Sequence, residues 1–209
     1  MVRFARTLYL GAALLALSAS MLLTLPGLAL AAKQETIVFM RHGEKPPEGL
    51  GQLDCQGLNR ALALPWVLIS RYGRAEFVFA PNPGREIEDH GHHYNYVRPL
   101  ATIEPTAIAL GRPVDTRFGF KDIEALDRDL MAERHHNALV FVAWEHVKLV
   151  EAVRLLVRQA GGDSNVVPDW PDDDFDSLYI LTLTREGDRI SVAFSHQQEG
   201  LNGRNTNCP

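Results

Sequence analysis

Cysteine is scarce in this chain: only Cys55 and Cys208 occur in 209 residues. Neither a CxxC pair nor a mixed Cys/His spacing is present, which excludes the usual structural zinc modules. A cationic excess is also missing. The formal charge is −5, and Arg3 and Arg6 lie in an N-terminal segment expected to be removed, so the mature chain is more acidic still. No basic stripe offers a partner to nucleic acid or to an anionic membrane surface. An acidic protein can nevertheless focus positive potential in one cleft. Internal repeats and low-complexity tracts are absent, which excludes solenoids and compositional linkers.

One long hydrophobic run is present, over 8–30, behind the positive residues Arg3 and Arg6. Ala29-Leu30-Ala31 reads as a small-x-small cleavage site, with the cut expected after Ala31 or Ala32. The run is long for a signal peptide, so an uncleaved membrane anchor is the alternative. Pro26 and Gly27 favour cleavage over a continuous span. Either way the folded part is expected outside the cytoplasm, periplasmic or secreted, with membrane contact only through an uncleaved N-terminal segment. The expected organisation is a leader over 1–32 and a single domain over 33–209, large enough to bury a core without staples. In an oxidising compartment the two cysteines permit one disulfide that would pin the C-terminal tail. Two free thiols, with Cys55 packed at a helix start, are the other reading.

Hydrophobic periodicity predicts alternating elements. Strands are expected over 35–40, 76–80, 113–116 and 139–144. Helices are expected over 55–72 behind an Asp54 cap, 98–110, 122–131 and 147–160. Pro65 should bend or divide the first helix, and Pro105 should kink or restart the second. A hairpin is expected from 178–184 and 189–195 across Glu186-Gly187-Asp188. The segments 46–53, 81–96 and 166–176 read as loops. The predicted class is α/β: a three-layer α/β/α sandwich with a mostly parallel sheet and an antiparallel C-terminal edge.

The chemistry concentrates in Arg41-His42-Gly43-Glu44, directly after the first strand. The carboxyl end of such a strand is where open α/β sheets bind ligands. An imidazole there can serve as nucleophile, Arg41 offers a planar fork for phosphate, and Gly43 lets backbone approach a ligand. Arg98, at a helix start, would add its guanidinium and free backbone N–H groups to the same anion, with Arg85 as rival. His146 holds the same address after the strand over 139–144. A carboxylic acid must protonate the leaving group. The carboxylates at hand are Glu145 beside His146, Glu104 on the Arg98 helix, Glu44 beside the motif and Asp89, and Glu145 could equally salt-bridge an Arg in the pocket and hold it still. The run Asp89-His90-Gly91-His92-His93 matches no defined metal site and reads as the pocket mouth. Trp144, Tyr94 and Tyr96 read as packing residues.

Arg41-His42-Gly43, the helix segment from Leu53 through Asp54, Gly57 and Arg60 to Ala61, the Arg98 helix with Thr106-Ala107, and the strand into His146 together resemble the histidine phosphatase superfamily. The likeness runs in order along the whole mature chain. It implies a phosphohistidine on His42, a phosphoryl group bound by Arg41, Arg98 and His146, and no obligatory metal or organic cofactor. The family usually sets its Arg four residues before a Thr-Ala pair, whereas Arg98 lies eight before Thr106. It often has Ser where this chain reads Ala80-Pro81-Asn82, and a small residue where Glu145 stands. The expected activity is hydrolysis of a small phosphomonoester, with Arg41, Arg98, Gly43 and Glu104 binding substrate. The alternative is a module of the same fold that binds phosphate or a phosphorylated ligand without turnover.

Overall fold

The computed structural model describes residues 32–209, so the expected leader lies outside the described residues. The elements in chain order are β1 (Lys33–Arg41), α1 (Cys55–Tyr72), β2 (Phe77–Phe79), β3 (Glu86–Asp89), β4 (His92–Asn95), α2 (Arg98–Leu110), β5 (Val114–Asp115), α3 (Ile123–Leu130), β6 (Leu139–Trp144), α4 (His146–Gln159), β7 (Ser177–Glu186) and β8 (Arg189–Gln198). Six strands form one sheet in the order β5-β2-β6-β1-β7-β8. The first four are mutually parallel, and β7 and β8 add the antiparallel edge.

Side chains on successive strand residues point to opposite faces, and β1 is apolar on both. Ile37 and Phe39 enter the core beneath α3 and α4, whereas Val38 and Met40 enter the core beneath α1 and α2. In β6, Val140, Val142 and Trp144 face the first core, and Phe141 and Ala143 the second. Burial on both faces explains why these strands read as continuous apolar runs.

Neither proline divides its helix. Pro65 lies inside α1 and Pro105 inside α2, and both helices run through. Each proline removes one backbone donor, but the buried faces around them (Ala61, Leu64 and Leu68 in α1; Ile103, Thr106 and Ala107 in α2) hold the helices in place. The segment over 81–96 is more ordered than a loop. It contains the β3–β4 hairpin, turned by His90 and Gly91 at φ 51° and 79°, a left-handed pair that suits a tight hairpin turn.

Cys55 and Cys208 form a disulfide. It closes a loop of 153 residues, which in the chain-entropy account stabilises by roughly 3–5 kcal/mol. Asn59 Nδ2 reinforces the same clamp by donating to the backbone oxygens of Asn205 and Asn207, each at 2.8 Å.

Candidate active site

β1 delivers Arg41 and His42 to the carboxyl edge of the sheet. The His42 N–H donates to Trp144 O at 3.1 Å, which fixes the motif against the end of β6. Gly43 and Gly57 then allow α1 to press on the motif. A Cβ on Gly57 would stand 2.3 Å from Glu44 O, and one on Gly43 would stand 3.0 Å from Gly57 Cα. The glycine in the first turn of α1 is therefore a packing requirement of the site. From the other side, the Gly43 N–H donates to Thr102 Oγ1 at 2.9 Å, and that hydroxyl donates to Arg98 O at 2.9 Å. Thr102 is the threonine four residues after Arg98. It, rather than Thr106, joins α2 to the motif.

His42 is only 2% exposed. Its Nδ1 lies 2.8 Å from Gly43 O. A carbonyl can only accept, so Nδ1 carries the proton and Nε2 keeps the lone pair. Burial, and after it the Arg98 guanidinium, lower the imidazole pKa to about 3. The ring is therefore neutral at ordinary pH, the form in which Nε2 is a nucleophile.

Both arginines are buried beside it and partly committed. Arg41 Nη1 donates to the backbone oxygens of Asp172 and Asp174 at 2.7 and 2.8 Å, and its guanidinium lies 4.0 Å over the Phe175 ring. Arg98 Nη1 donates to Asp89 Oδ2 at 2.7 Å and to Gly49 O at 3.2 Å. The Asp89 carboxyl is held below its usual range because, against burial, the bonds from Arg98 and the Gly51 N–H win. The Nε of Arg41, the Nε of Arg98 and the Oη of Tyr96 are also buried without a well-aligned hydrogen bond among the described residues, though the Tyr96 oxygen lies within reach of the Arg98 guanidinium. Unsatisfied buried donors cost stability and are uncommon in folded proteins. Three of them around one neutral imidazole form a set of donors that an anion would satisfy.

The remaining expected residues are placed differently. His146 opens α4 with its ring between two carboxylates. Nε2 bonds Asp172 Oδ1 at 2.8 Å. Nδ1 comes within 2.8 Å of Glu145 Oε1, out of line for a hydrogen bond. Among the described residues no hydrogen bond or ring contact joins His146 to His42 or Arg98; it meets Arg41 through Asp172, and Glu145, which touches it, lies within electrostatic reach of Arg41 and His42. Glu145 caps α4, accepting from the N–H groups of Val147 and Lys148 at 3.0 and 2.8 Å. Burial raises its pKa, but His146 and the two amides outweigh burial and bring it to about 2. A carboxyl with so loose a grip on its proton is ionised throughout, so Glu145 as placed holds His146 and does not supply a proton. Glu104 is exposed on α2, six residues beyond Arg98 and so about 120° around the helix from it. It takes no part in the site. Arg85 is also exposed. Glu44 is bound to Arg60 at 2.7 and 2.9 Å. The backbone N–H groups of Val97 and Arg98 are not free for an anion, since both donate to Gly51 O, at 2.9 and 3.0 Å.

Sequence alone assigns Tyr96 to packing and does not single out Thr102. The signal for Thr102 is its one-turn spacing from Arg98. The Tyr96 hydroxyl has no such signal. Among the described residues no group of three or more His, Cys, Asp or Glu side chains gathers to hold a metal ion, and in the 86–95 hairpin Asp89 turns inward to Arg98 while His92 and His93 stay exposed.

No protein-family model and no curated protein sequence matches the chain. Solved structures do. The mycobacterial glucosyl-3-phosphoglycerate phosphatase Rv2419c, in complex with inorganic phosphate, superposes with a TM-score of 0.51 at 15% identity, over 77% of this chain and 95% of that one. This is the histidine phosphatase fold. A SixA-type phosphohistidine phosphatase structure from Nakamurella multipartitia matches at a TM-score of 0.49 and 15% identity, covering 78% and 96% of the two chains. A histidine-to-alanine mutant of phosphoserine phosphatase from Entamoeba histolytica, in complex with phosphoserine, matches at a TM-score of 0.49 and 11% identity, covering 80% and 98%.

Proposed function

We propose that the protein is a phosphatase that hydrolyses a small phosphomonoester through a phosphohistidine on His42. The observation that carries this reading is the neutral, tautomer-fixed His42 within electrostatic reach of Arg98 and Arg41 and in ring contact with Tyr96, three buried residues with hydrogen-bonding capacity left open. Nε2 of His42 attacks phosphorus, and the bond to the leaving oxygen breaks. The Nε–H groups of Arg41 and Arg98 donate to the oxygens over which charge spreads. Both guanidinium groups are already oriented, Arg41 by the carbonyls of Asp172 and Asp174 and Arg98 by Asp89, and the cluster must open for a phosphoryl group to reach these buried atoms. Glu145 holds His146 at the second strand end, and Asp172 gives up His146 Nε2 to a phosphoryl oxygen as substrate enters. Water then attacks the phosphohistidine and releases inorganic phosphate.

The protein acts outside the cytoplasm in this reading. The disulfide and the N-terminal hydrophobic run both suit an oxidising compartment reached by export. A second reading, a module that binds phosphate without turnover, draws on the near-complete burial of His42 and the Asp89 carboxylate already on Arg98. Mixing the protein with a labelled aryl phosphate and quenching in mild base separates the two. A base-stable, acid-labile label mapped to His42 supports the enzyme. Phosphate binding with neither label nor turnover supports the module.

A further inference from the structure

The proposed reaction needs a proton for the leaving oxygen, and the carboxylates around the motif do not provide one. Glu44 is bound by Arg60, Asp89 by Arg98, Glu145 is capped and ionised, and Glu104 faces solvent. Of the two rings in contact with His42, Tyr96 and Phe175, only Tyr96 carries an acidic hydrogen. We propose that Tyr96 is the catalytic proton donor to the leaving group: its buried hydroxyl lies within reach of the Arg98 guanidinium but its hydrogen finds no acceptor among the described residues, and its ring meets His42 edge-on at 6.1 Å and Arg98 at 4.9 Å.

Tyr96 is fully buried, clamped between the end of the β3–β4 hairpin and α2, and its ring packs on Phe120 at 5.1 Å. The charged groups within electrostatic reach of the hydroxyl are Arg98, Glu145 and Arg41. Burial opposes ionisation of the phenol and, with Glu145, outweighs the pull of Arg98 and Arg41 toward the anion. The hydroxyl is therefore protonated when substrate arrives. A fold that only needed an aromatic ring here would be served by phenylalanine, because a buried hydroxyl whose hydrogen has no acceptor is a cost without return. Groups kept against stability are the expected signature of function.

This role rests on the phosphatase reading. As the bond between phosphorus and the leaving oxygen breaks, Tyr96 transfers its proton to that oxygen, and an alcohol and a tyrosinate result. Arg98 and Arg41 flank the anion. The water that attacks the phosphohistidine returns a proton to the tyrosinate, and the phenol is restored. An aliphatic alkoxide is a stronger base than a phenolate, so the donor matters most for phosphates of aliphatic alcohols. These are the substrates the site is built to use. An aryl phosphate with a good leaving group needs little protonation.

Tyr96→Phe tests this directly. With ethyl phosphate, kcat is expected to fall about 10²–10³-fold, the usual weight of a positioned general acid. With 4-nitrophenyl phosphate it is expected to fall less than about tenfold, with phosphoenzyme still formed, and the melting temperature is expected to hold or rise. An equal loss on both substrates, or no loss on either, overturns the role of Tyr96 and leaves the phosphatase intact. Wild-type protein that turns over neither substrate and forms no phosphoenzyme overturns the phosphatase, and Tyr96 with it. Should Tyr96→Phe fail to fold, the wild type alone decides. Rates of phosphoenzyme formation across alkyl and aryl phosphates that hardly depend on leaving-group basicity support proton donation, and a steep dependence overturns it.

Discussion

Two buried polar clusters lie side by side at the carboxyl edge of the sheet, and they are completed in opposite ways. Around Arg60, fully buried in α1, the guanidinium meets Glu44, Asp176, Glu199 and Asn202 at 2.7–3.0 Å. Asp176 in turn accepts from the N–H groups of Gly200 and Leu201. Around His42, Arg41 Nε, Arg98 Nε and Tyr96 Oη make no well-aligned hydrogen bond among the described residues. Glu44 belongs to the first cluster and follows Gly43 of the second, so the two are one residue apart in sequence. Similar residue types at similar depth thus serve two ends. Donors saturated by their own fold tie distant segments together, whereas donors left open by the fold are available to an anion.

The largest expected effect lies in the open cluster. His42→Ala is expected to lower kcat by about 10⁴-fold or more, the scale of removing a nucleophile, and to abolish the phosphoenzyme while the fold melts near the wild-type temperature. Steady-state kinetics with acid-labile label counting checks this, and retained turnover would mean that the open donors serve some other purpose. The saturated cluster should respond the other way. Arg60→Ala leaves three carboxylates facing one another in the interior, a change expected to cost about 3–5 kcal/mol, read by urea denaturation. Activity per folded molecule should stay within a few-fold of wild type. If rate and stability fall together in both variants, the two clusters are not separable.

The fold was legible because its signal is local. β6 was expected over 139–144 and is found there, and α1 keeps its expected bounds over 55–72. Apolar runs and an Asp54 cap that accepts from the Gly57 N–H at 2.7 Å are features of neighbouring residues. His42 and Arg41 were legible for the same reason, as a strand end followed by a short motif. What was missed is non-local. Arg60 meets Asp176 and Glu199 across 116 and 139 residues, and no spacing in sequence announces that. The resemblance points to Glu145 as an acid because family members take theirs from a carboxylate near the second histidine or from a Glu after the arginine helix. Its conversion into an ionised helix cap depends on the backbone amides of Val147 and Lys148, which become available only once α4 forms. Tyr96 looks in sequence like one aromatic among several in a polar segment, and only its depth and its missing acceptor distinguish it.

A smaller effect separates the clusters by pH. Three carboxylates share one guanidinium around Arg60, and Glu199 is the most deeply buried of them, with Oε1 unpartnered. Burial dominates there, and the Glu199 pKa is raised to about 8 despite Arg60. A carboxyl whose folded pKa lies above its unfolded value favours the fold at low pH, and that contribution is lost as pH rises through the folded value. The Glu199 contribution should therefore decline between about pH 4.5 and 8, opposed below about pH 6.5 by His42, whose lowered pKa favours the fold as pH rises. Glu35 and Asp127, raised by burial to about 7 and about 8, add to the same slope. Glu199→Gln imitates the protonated form and is expected to flatten part of that decline in urea titrations at pH 5 and pH 8. An unchanged slope would assign the decline to Glu35 and Asp127 and leave Glu199 ionised.

The smallest effect sits at the boundary of the open cluster. Asp172 Oδ1 bonds His146 Nε2, yet the Asp172 side chain is 95% exposed. A contact that exposed contributes little to stability, within about 0.5 kcal/mol, and the Asp172→Ala variant keeps the backbone oxygen on which Arg41 rests. What it removes is a carboxylate that competes with substrate for an imidazole. Its expected signature is a KM about two- to fivefold lower with kcat nearly unchanged, measured at low salt where the competition is strongest. A KM that does not move would mean that His146 never meets the phosphoryl group, and would leave His42, Arg41, Arg98 and Tyr96 to form the anion site without it.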